Sequence, residues 1–332
     1  MKEFEIRPRK LFSDYLELSK KDIDVFFSDK SNFVEINCPG CKKDQSVLAF
    51  IKHGFKYNKC LYCKTLFVSP RPTKSMISDF YKVSESSRFW AEHFYPQTAE
   101  ARRVMIFKPR AEVINEILLK IDFPSPKSIV DVGAGYGIFL QEIKKLGYFD
   151  EVIAIEPNKD LAKSIRDKEI FVIEENVEDV IDGEYKYSVV CSFEVFEHLF
   201  DTDDFVLSMK KLLKPGGILI FTTLTISGFD LLVLGDKSKS ISPPHHINFL
   251  SVEGIRLLLN RCGLEEVLIE TPGKLDVDIV KNMYEEIPDL VLPDFVEYLL
   301  KNRDVTVHEQ FQHFLQKNNL SSHIRVIARN AE

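Results

Sequence analysis

Lys127-Ser-Ile-Val-Asp-Val-Gly-Ala-Gly-Tyr-Gly137 is the stretch from which the architecture can be worked out. A short apolar run closes on glycines at positions 133, 135 and 137, and a helical pattern then continues to Gly147. A run of this length bounded by glycine reads as a buried strand, and the spacing after it as a helix. Glycines at such a junction let the backbone pass close to a ligand, while the first turn of the helix offers unpartnered N–H groups to an anion. Moving outward, apolar runs recur at Val152–Ile155, Phe171–Ile173, Tyr187–Cys191 and Ile218–Leu224, separated by helical patterns. That alternation predicts a parallel sheet wrapped by helices. Leu264–Glu270 and Ser322–Arg329 are further strand patterns with a mostly helical insertion, about 276–319, between them. They predict an antiparallel pair at the sheet edge.

The 332 residues carry 44 Lys and Arg against 51 Asp and Glu, a net charge of −7 with neutral histidines. This acidic balance argues against a protein that grips long nucleic acid by its backbone, which requires clustered positive charge. The length predicts about two domains. A hydrophobic fraction of 45% is that of a folded globular chain and excludes a long disordered one. No apolar stretch reaches the ~18 residues of a membrane span, and the N-terminus has no apolar leader, so a soluble, cytoplasmic protein is expected.

Four of the six cysteines form two pairs, Cys38-x-x-Cys41 and Cys60-x-x-Cys63, with 18 residues between them. In a reducing compartment this pattern reads as a metal site, because thiolates at i and i+3 reach one tetrahedral ion from a tight turn and two such turns complete its shell. With every position filled by cysteine there is no room for a catalytic water, so a structural Zn2+ is expected. In a segment this small its binding energy would stand in for a missing core. His53, between the pairs, reads as a surface or packing residue. The prolines of Ser69-Pro-Arg-Pro72 mark a boundary. Three parts are therefore expected: an N-terminal segment with a zinc ribbon over 1–72, a helical linker or cap over 73–126, and a cofactor-binding domain over 127–332 that contains the helical insertion. Cys191 and Cys262 read as core residues.

The second strand ends at Glu156-Pro157-Asn158, with the acid 23 positions after Gly133. An acid near this spacing holds the hydroxyls of a ribose, and Pro157 suits the first turn of the next helix. An adenosine-containing cofactor follows, either a dinucleotide such as NAD or S-adenosylmethionine. The dinucleotide spacing G-x-G-x-x-G would need glycine at position 138, where Ile138 stands. The spacing present is D-x-G-x-G-x-G, and Asp131 is placed to meet the ammonium of a methionine moiety. S-adenosylmethionine is the favoured cofactor.

From about residue 104 onward the chain resembles the class I S-adenosylmethionine-dependent methyltransferases, through Asp131–Gly137, Glu156–Asn158, Phe193-Glu-Val-Phe-Glu-His-Leu199 and Leu213-Lys-Pro-Gly-Gly217, in that family's order. The resemblance implies a Rossmann-like α/β sheet of seven strands with an antiparallel last strand. It implies that Gly133, Ala134, Gly135 and Gly137 line the methionine moiety together with Asp131. Glu156 and Pro157 would lie at the ribose, Asn176 and Val177 at the adenine, and Phe193 and Glu194 after the fourth strand. Asn176 stands where the family often has Asp. With the two cysteine pairs and the Pro70-Arg71-Pro72 boundary, the chain also resembles a narrower group that methylates sugars, usually nucleotide-linked, for antibiotics and cell-surface polysaccharides.

The acceptor is expected at the carboxyl edge of the sheet. There the long connection Thr225–Leu250, with Ser242-Pro-Pro-His-His-Ile-Asn248, is the first choice for a lid. Methyl transfer from a sulfonium needs mainly alignment, with a base added when the acceptor is a hydroxyl or an acidic carbon. His198, His245 and His246 are the candidate bases, and Glu197 could orient an imidazole or bind acceptor hydroxyls. Trp90, His93, Tyr95, Arg102 and Arg103 could cap the site and hold a diphosphate, though packing aromatics and solvated arginines are the simpler reading. Thr271–Asp278 has no assignable chemistry. The expected activity is thus methylation of a sugar, as a nucleotide sugar, or of a similar small polar metabolite. An RNA or protein methyltransferase that uses its lysine-rich ribbon for recognition, and a non-catalytic interaction protein with a cofactor fold, are the alternatives. Oligomeric state is not legible.

Overall fold

The structure is a computed structural model that describes residues 2–181 and 186–331. Eleven strands are found among the described residues: β1 (Ser46–Lys52), β2 (Phe55–Cys60), β3 (Leu66–Val68), β4 (Ser128–Val132), β5 (Glu151–Ile155), β6 (Phe171–Ile173), β7 (Tyr187–Phe193), β8 (Leu213–Leu224), β9 (Asn248–Phe249), β10 (Glu265–Glu270) and β11 (His323–Arg329). They form one sheet of seven strands and one of four. The chain divides into two compact units that interleave along the sequence. One comprises 1–99, 224–255 and 270–324, the other 100–223, 256–269 and 325–332. Among the described residues no helix is long and apolar enough to cross a membrane.

The second unit is built on the seven-stranded sheet, in the order β10-β11-β8-β7-β4-β5-β6. β4 runs parallel to both β5 and β7, and β8 is parallel to β7. All five residues of β4 are buried, and apart from Ser128 at its start and Asp131 the strand is apolar. The order of addition reverses between β4 and β7, which is where open α/β sheets bind ligands. The helix Ile138–Leu146 packs Phe139, Leu140 and Ile143 into the same core as Ile114 and Leu118 of the helix Lys108–Leu118. Gly147, at φ 65°, ends the first of these in the left-handed conformation glycine tolerates best. The two strands expected at the edge, β10 and β11, are neighbours there, with β10 outermost. The backbone N–H of Gly216 donates to Asn330 at one end and that of Thr225 to Ser322 at the other, so β11 runs antiparallel to β8.

The first unit contains the four-stranded sheet, β1-β2-β3-β9. β1 and β2 are joined by His53-Gly54, at φ 48° and 77°, the all-positive geometry of a tight hairpin. His53 is therefore a turn residue. β9 pairs with β3 although 183 positions separate Leu66 from its neighbour Phe249. Arg71, fully buried, secures this junction by donating to the Val68 carbonyl at 3.0 Å and to Asn248 Oδ1 at 2.8 Å. In the helical stretch that follows, Trp90 stacks on Phe94 at 4.1 Å and meets Tyr15 edge-on at 5.0 Å, the contacts of a packing aromatic. Helices Asp276–Glu286, Asp294–Asn302 and Val305–Lys317 share a core around Val280, Leu300 and Leu315. The acids of Thr271–Asp278 have structural partners here. Asp276 accepts from Ser321 Oγ at 2.6 Å, Ser322 N at 2.7 Å and Gln312 Nε2 at 2.7 Å, and Asp278 accepts from the Glu3 N–H at 2.8 Å.

Candidate functional site

The turn after β4 is held open by its backbone. Gly133, Gly135 and Gly137 have φ of 73°, 56° and 68°, a region L-residues enter at a cost of about 1–2 kcal/mol each. Gly133 and Gly137 are also sterically confined: a Cβ would meet Val195 Cγ2 at 2.9 Å and Ile165 Cγ1 at 3.0 Å. At Gly135 a Cβ would meet nothing within 4 Å. The turn therefore presents bare backbone to open space at its middle glycine and packs tightly at the other two.

Two carboxyl groups flank this turn. Asp131 is buried, and its hydrogen-bond partner is the weak Cys191 thiol at 3.7 Å. Burial pushes its carboxyl up to about 8, with the positive charge of Arg110 opposing. A ligand ammonium beside Asp131 would restore its charge. Glu156, at the end of β5, accepts the Gly135 N–H at 2.8 Å through one oxygen and the Asn158 N–H at 3.0 Å through the other. Burial raises its carboxyl despite these bonds. Each oxygen keeps a second lone pair, the capacity that two ribose hydroxyls need. Pro157 sits between Glu156 and the helix cap Asn158, whose side chain accepts from the N–H groups of Asp160 and Leu161. After β6, Asn176 Nδ2 donates to Asp179 at 2.7 Å, which turns its carbonyl oxygen away from that partner as an acceptor, and Val177 is buried beside it.

At the end of β7, Phe193 meets Phe139 edge-on at 4.5 Å. Glu194 takes a positive φ of 57° and accepts from Thr222 Oγ1 at 2.6 Å and from Arg110 at 2.9 Å. The Arg110 guanidinium lies 4.6 Å from the Phe193 ring centroid. Arg110 and the two threonines of β8 were not singled out in the sequence. The one signal for Arg110 was a charged residue in the apolar stripe of its helix. Glu197, fully enclosed, accepts from Thr223 Oγ1 at 2.9 Å, and burial together with the Glu194 charge pushes it up to about 8. His198 follows it on the same short 3-10 turn. One unit thus brings together Asp131, the glycine turn, Glu156, Asn176, Val177, Phe193, Glu194, Glu197 and His198.

A methyltransferase-domain family model matches residues 101–269, more than half of the chain. The chain belongs to the class I S-adenosylmethionine-dependent methyltransferases. This methyltransferase is 30% identical over 183 residues to the ubiquinone biosynthesis O-methyltransferase of Mesorhizobium japonicum, a match covering 50% of this chain and 72% of that protein. It is 26% identical over 141 residues to the mitochondrial ubiquinone biosynthesis O-methyltransferase of Dictyostelium discoideum, covering 37% of this chain and 44% of that one. Among solved structures it is similar to the plantazolicin methyltransferase BpumL in complex with S-adenosylhomocysteine, with a TM-score of 0.48 and 13% identity over 77% of this chain and 94% of that chain. The residues present fit the cofactor: a buried acid for the ammonium, bare backbone at Gly135 and a doubly tethered acid for the ribose. When bound, S-adenosylmethionine supplies a methyl group on an activated sulfur.

The other methyltransferase candidates lie in the first unit. His245 is buried among the rings of Tyr15, Phe80 and Tyr81, with centroids at 5.7, 5.0 and 5.6 Å. Burial, with the neighbouring His246 charge, holds it down to about 3, so its imidazole is neutral near pH 7. His246 is half-buried. Its Nδ1 is 2.6 Å from the Ser240 carbonyl, which requires the proton there and leaves Nε2 as the basic nitrogen of the neutral ring. The Tyr57 hydroxyl donates to the His246 carbonyl at 2.7 Å. Also in this unit, the sulfurs of Cys38, Cys41, Cys60 and Cys63 lie within 4.8 Å of one another, with Cys38–Cys63 and Cys41–Cys60 both at 3.5 Å. Four thiolates 2.3 Å from a tetrahedral zinc would be ~3.8 Å apart, so the cluster is of the size for one such ion.

Proposed function

We propose that this methyltransferase acts in the cytoplasm on a hydroxyl of a small polar acceptor, a sugar in nucleotide-linked form, and that its four-cysteine cluster holds a structural Zn2+. The observation that carries the reading is the buried Glu197, whose proton affinity is raised into the neutral range at the end of β7, next to His198. A carboxyl of that affinity is mostly protonated at pH 7, and it accepts a hydroxyl proton through its ionised fraction, which grows as pH rises toward 8. With the donor held by Asp131, the glycine turn and Glu156, an acceptor hydroxyl that received the methyl group would give up its proton to a protein base. His198, Glu197 and His246 are the groups proposed for that base, and His245 is proposed to hold the loop. Asp131, the glycine turn and Glu156 orient the donor, while Arg110 fixes Glu194.

Two lines support an oxygen acceptor of modest size. Both relatives described above are named as O-methyltransferases of ubiquinone biosynthesis, although a tRNA U34 carboxymethyltransferase also matches, and the cysteine pairs with the Pro70-Arg71-Pro72 boundary resemble the sugar-modifying group. The test is transfer of a deuterated methyl group from labelled S-adenosylmethionine into a small-molecule extract, read by mass spectrometry. A labelled ion that fragments to a nucleotide supports the reading. Label appearing in RNA or protein instead would overturn it.

A further inference from the structure

The first unit contains a cavity of about 190 Å3 that plays no part in the cofactor site. That is far more than the ~10–15 Å3 needed by one water. Three separate elements converge on it: Ser19 and Lys20 from the helix Arg9–Phe26, Lys52 and His53 from the end of β1 and its turn, and Lys239 and Ser242 from the segment before β9. Three lysines and a histidine line one cavity, and among the described residues no carboxylate lines it.

The charges there are only partly compensated. The Lys52 ammonium donates to the Ser238 carbonyl at 2.7 Å, a neutral partner, and Asp236 acts on it only at longer range. Lys239 is paired with Glu286 at 2.5 Å, outside the lining. Burial lowers the proton affinity of Lys52 to about 8, and His53 is lowered by burial and then by the charges of Lys52 and Lys20, with Asp24 opposing, so these groups feel one another. Like charges held together in a half-enclosed space are unfavourable until an anion joins them. Lysine ammonium groups with serine hydroxyls beside them are the donor set for phosphate oxygens.

We propose that this cavity is a phosphate-binding subsite that takes the diphosphate of the acceptor. The inference rests on the nucleotide-linked acceptor proposed above. Ser242 is three residues before His245 in the same segment, so an anion held here would fix the segment that carries both histidines.

The test is calorimetric titration of the full-length protein, saturated with S-adenosylhomocysteine, with inorganic pyrophosphate and in parallel with UDP. Both are expected to bind, and the double variant Lys20→Gln/Lys52→Gln should weaken each at least tenfold while its affinity for S-adenosylhomocysteine is unchanged. A measurement without a variant accompanies it: acylation of Lys52 by an N-hydroxysuccinimide ester should slow at least threefold when pyrophosphate is present. Absence of binding at millimolar pyrophosphate and UDP, equal affinity in the double variant, or unprotected Lys52 would each overturn the subsite. The two readings fail separately. Methylation of a sugar nucleotide that is indifferent to Lys52→Gln removes the subsite and keeps the activity, whereas pyrophosphate binding at Lys52 without any methylated sugar keeps the subsite and removes the acceptor.

Discussion

Arg110 donates to the Glu194 carboxylate at 2.9 Å and covers the Phe193 ring with the same guanidinium, 4.6 Å from its centroid. The helix Lys108–Leu118 is thereby fastened to the end of β7, the strand whose last residues enter the candidate site. Replacing Arg110 with Met keeps most of the stem but removes the ion pair to Glu194, which retains its bond from the Thr222 hydroxyl. Because Glu194 is about one-third exposed, the loss should be at the low end for a broken buried pair, about 2 kcal/mol. Urea unfolding of the variant checks this, and an unchanged midpoint would show the pair to be dispensable.

Glu156→Gln tests the ribose acid. One oxygen becomes an NH2 group facing either the Gly135 or the Asn158 N–H, donor against donor, and the negative charge is lost. Binding of S-adenosylhomocysteine should weaken by about 10- to 100-fold, roughly 1.4–2.7 kcal/mol. Calorimetry would reveal it.

Gly135 and Gly147 form a matched pair. Both have positive φ, 56° and 65°, and at neither would a Cβ meet an atom within 4 Å. Alanine at either position should therefore lower stability by a similar amount, about 1 kcal/mol. Only Gly135→Ala should impair cofactor binding, because only there does the new methyl enter the open side of the turn. If both variants bind S-adenosylhomocysteine like the parent, the assigned cradle is wrong.

The buried carboxyls set a pH dependence. Asp131 and Glu197 are each pushed up to about 8, above the ordinary carboxylate range they regain on unfolding. Between about pH 4 and pH 8 the folded state therefore holds protons that the unfolded state has released, and stability falls as pH rises. The slope from each group is at most about 1.4 kcal/mol per pH unit. Melting temperatures of the cofactor-free protein should decline from pH 5 to 8, less steeply in Asp131→Asn and Glu197→Gln. Saturation with S-adenosylhomocysteine should flatten the Asp131 part, since an ammonium favours the ionised acid.

For the cysteine cluster we expect one zinc per chain by atomic absorption and a melting temperature that drops when a strong chelator removes it. Cys60→Ser should lower zinc occupancy. Full retention of zinc in that variant would mean that the metal sits elsewhere.

Much of the second unit could be read from residue patterns because it is built from local units. The central strands there are apolar runs, the turns after β4 and β5 are marked by glycines and by Glu156-Pro157, and the antiparallel end followed from two strand patterns around a helical stretch. The cysteine pairs were equally legible, since their spacing is itself the geometry. Pairings over long sequence distance were not. Asn248–Phe249 is a two-residue strand with no periodicity to detect, and its place beside Leu66 and Phe67 depends on Arg71 reaching Asn248. The Arg110–Glu194 bond was hidden for a similar reason: an arginine in an apolar stripe looks like an exception until its partner, 84 positions away, is known.

The β3–β9 pairing has a further meaning. The Ser251 hydroxyl donates to the Cys63 carbonyl, the Ser251 N–H to Thr65 Oγ1 at 3.2 Å, and the Tyr57 hydroxyl to the His246 carbonyl. The histidine segment is therefore tied at both ends to the scaffold that the cysteines brace. Under the proposed zinc assignment, removing the ion would loosen the strands that hold the histidine segment while leaving the glycine turn and Glu156 of the other unit in place.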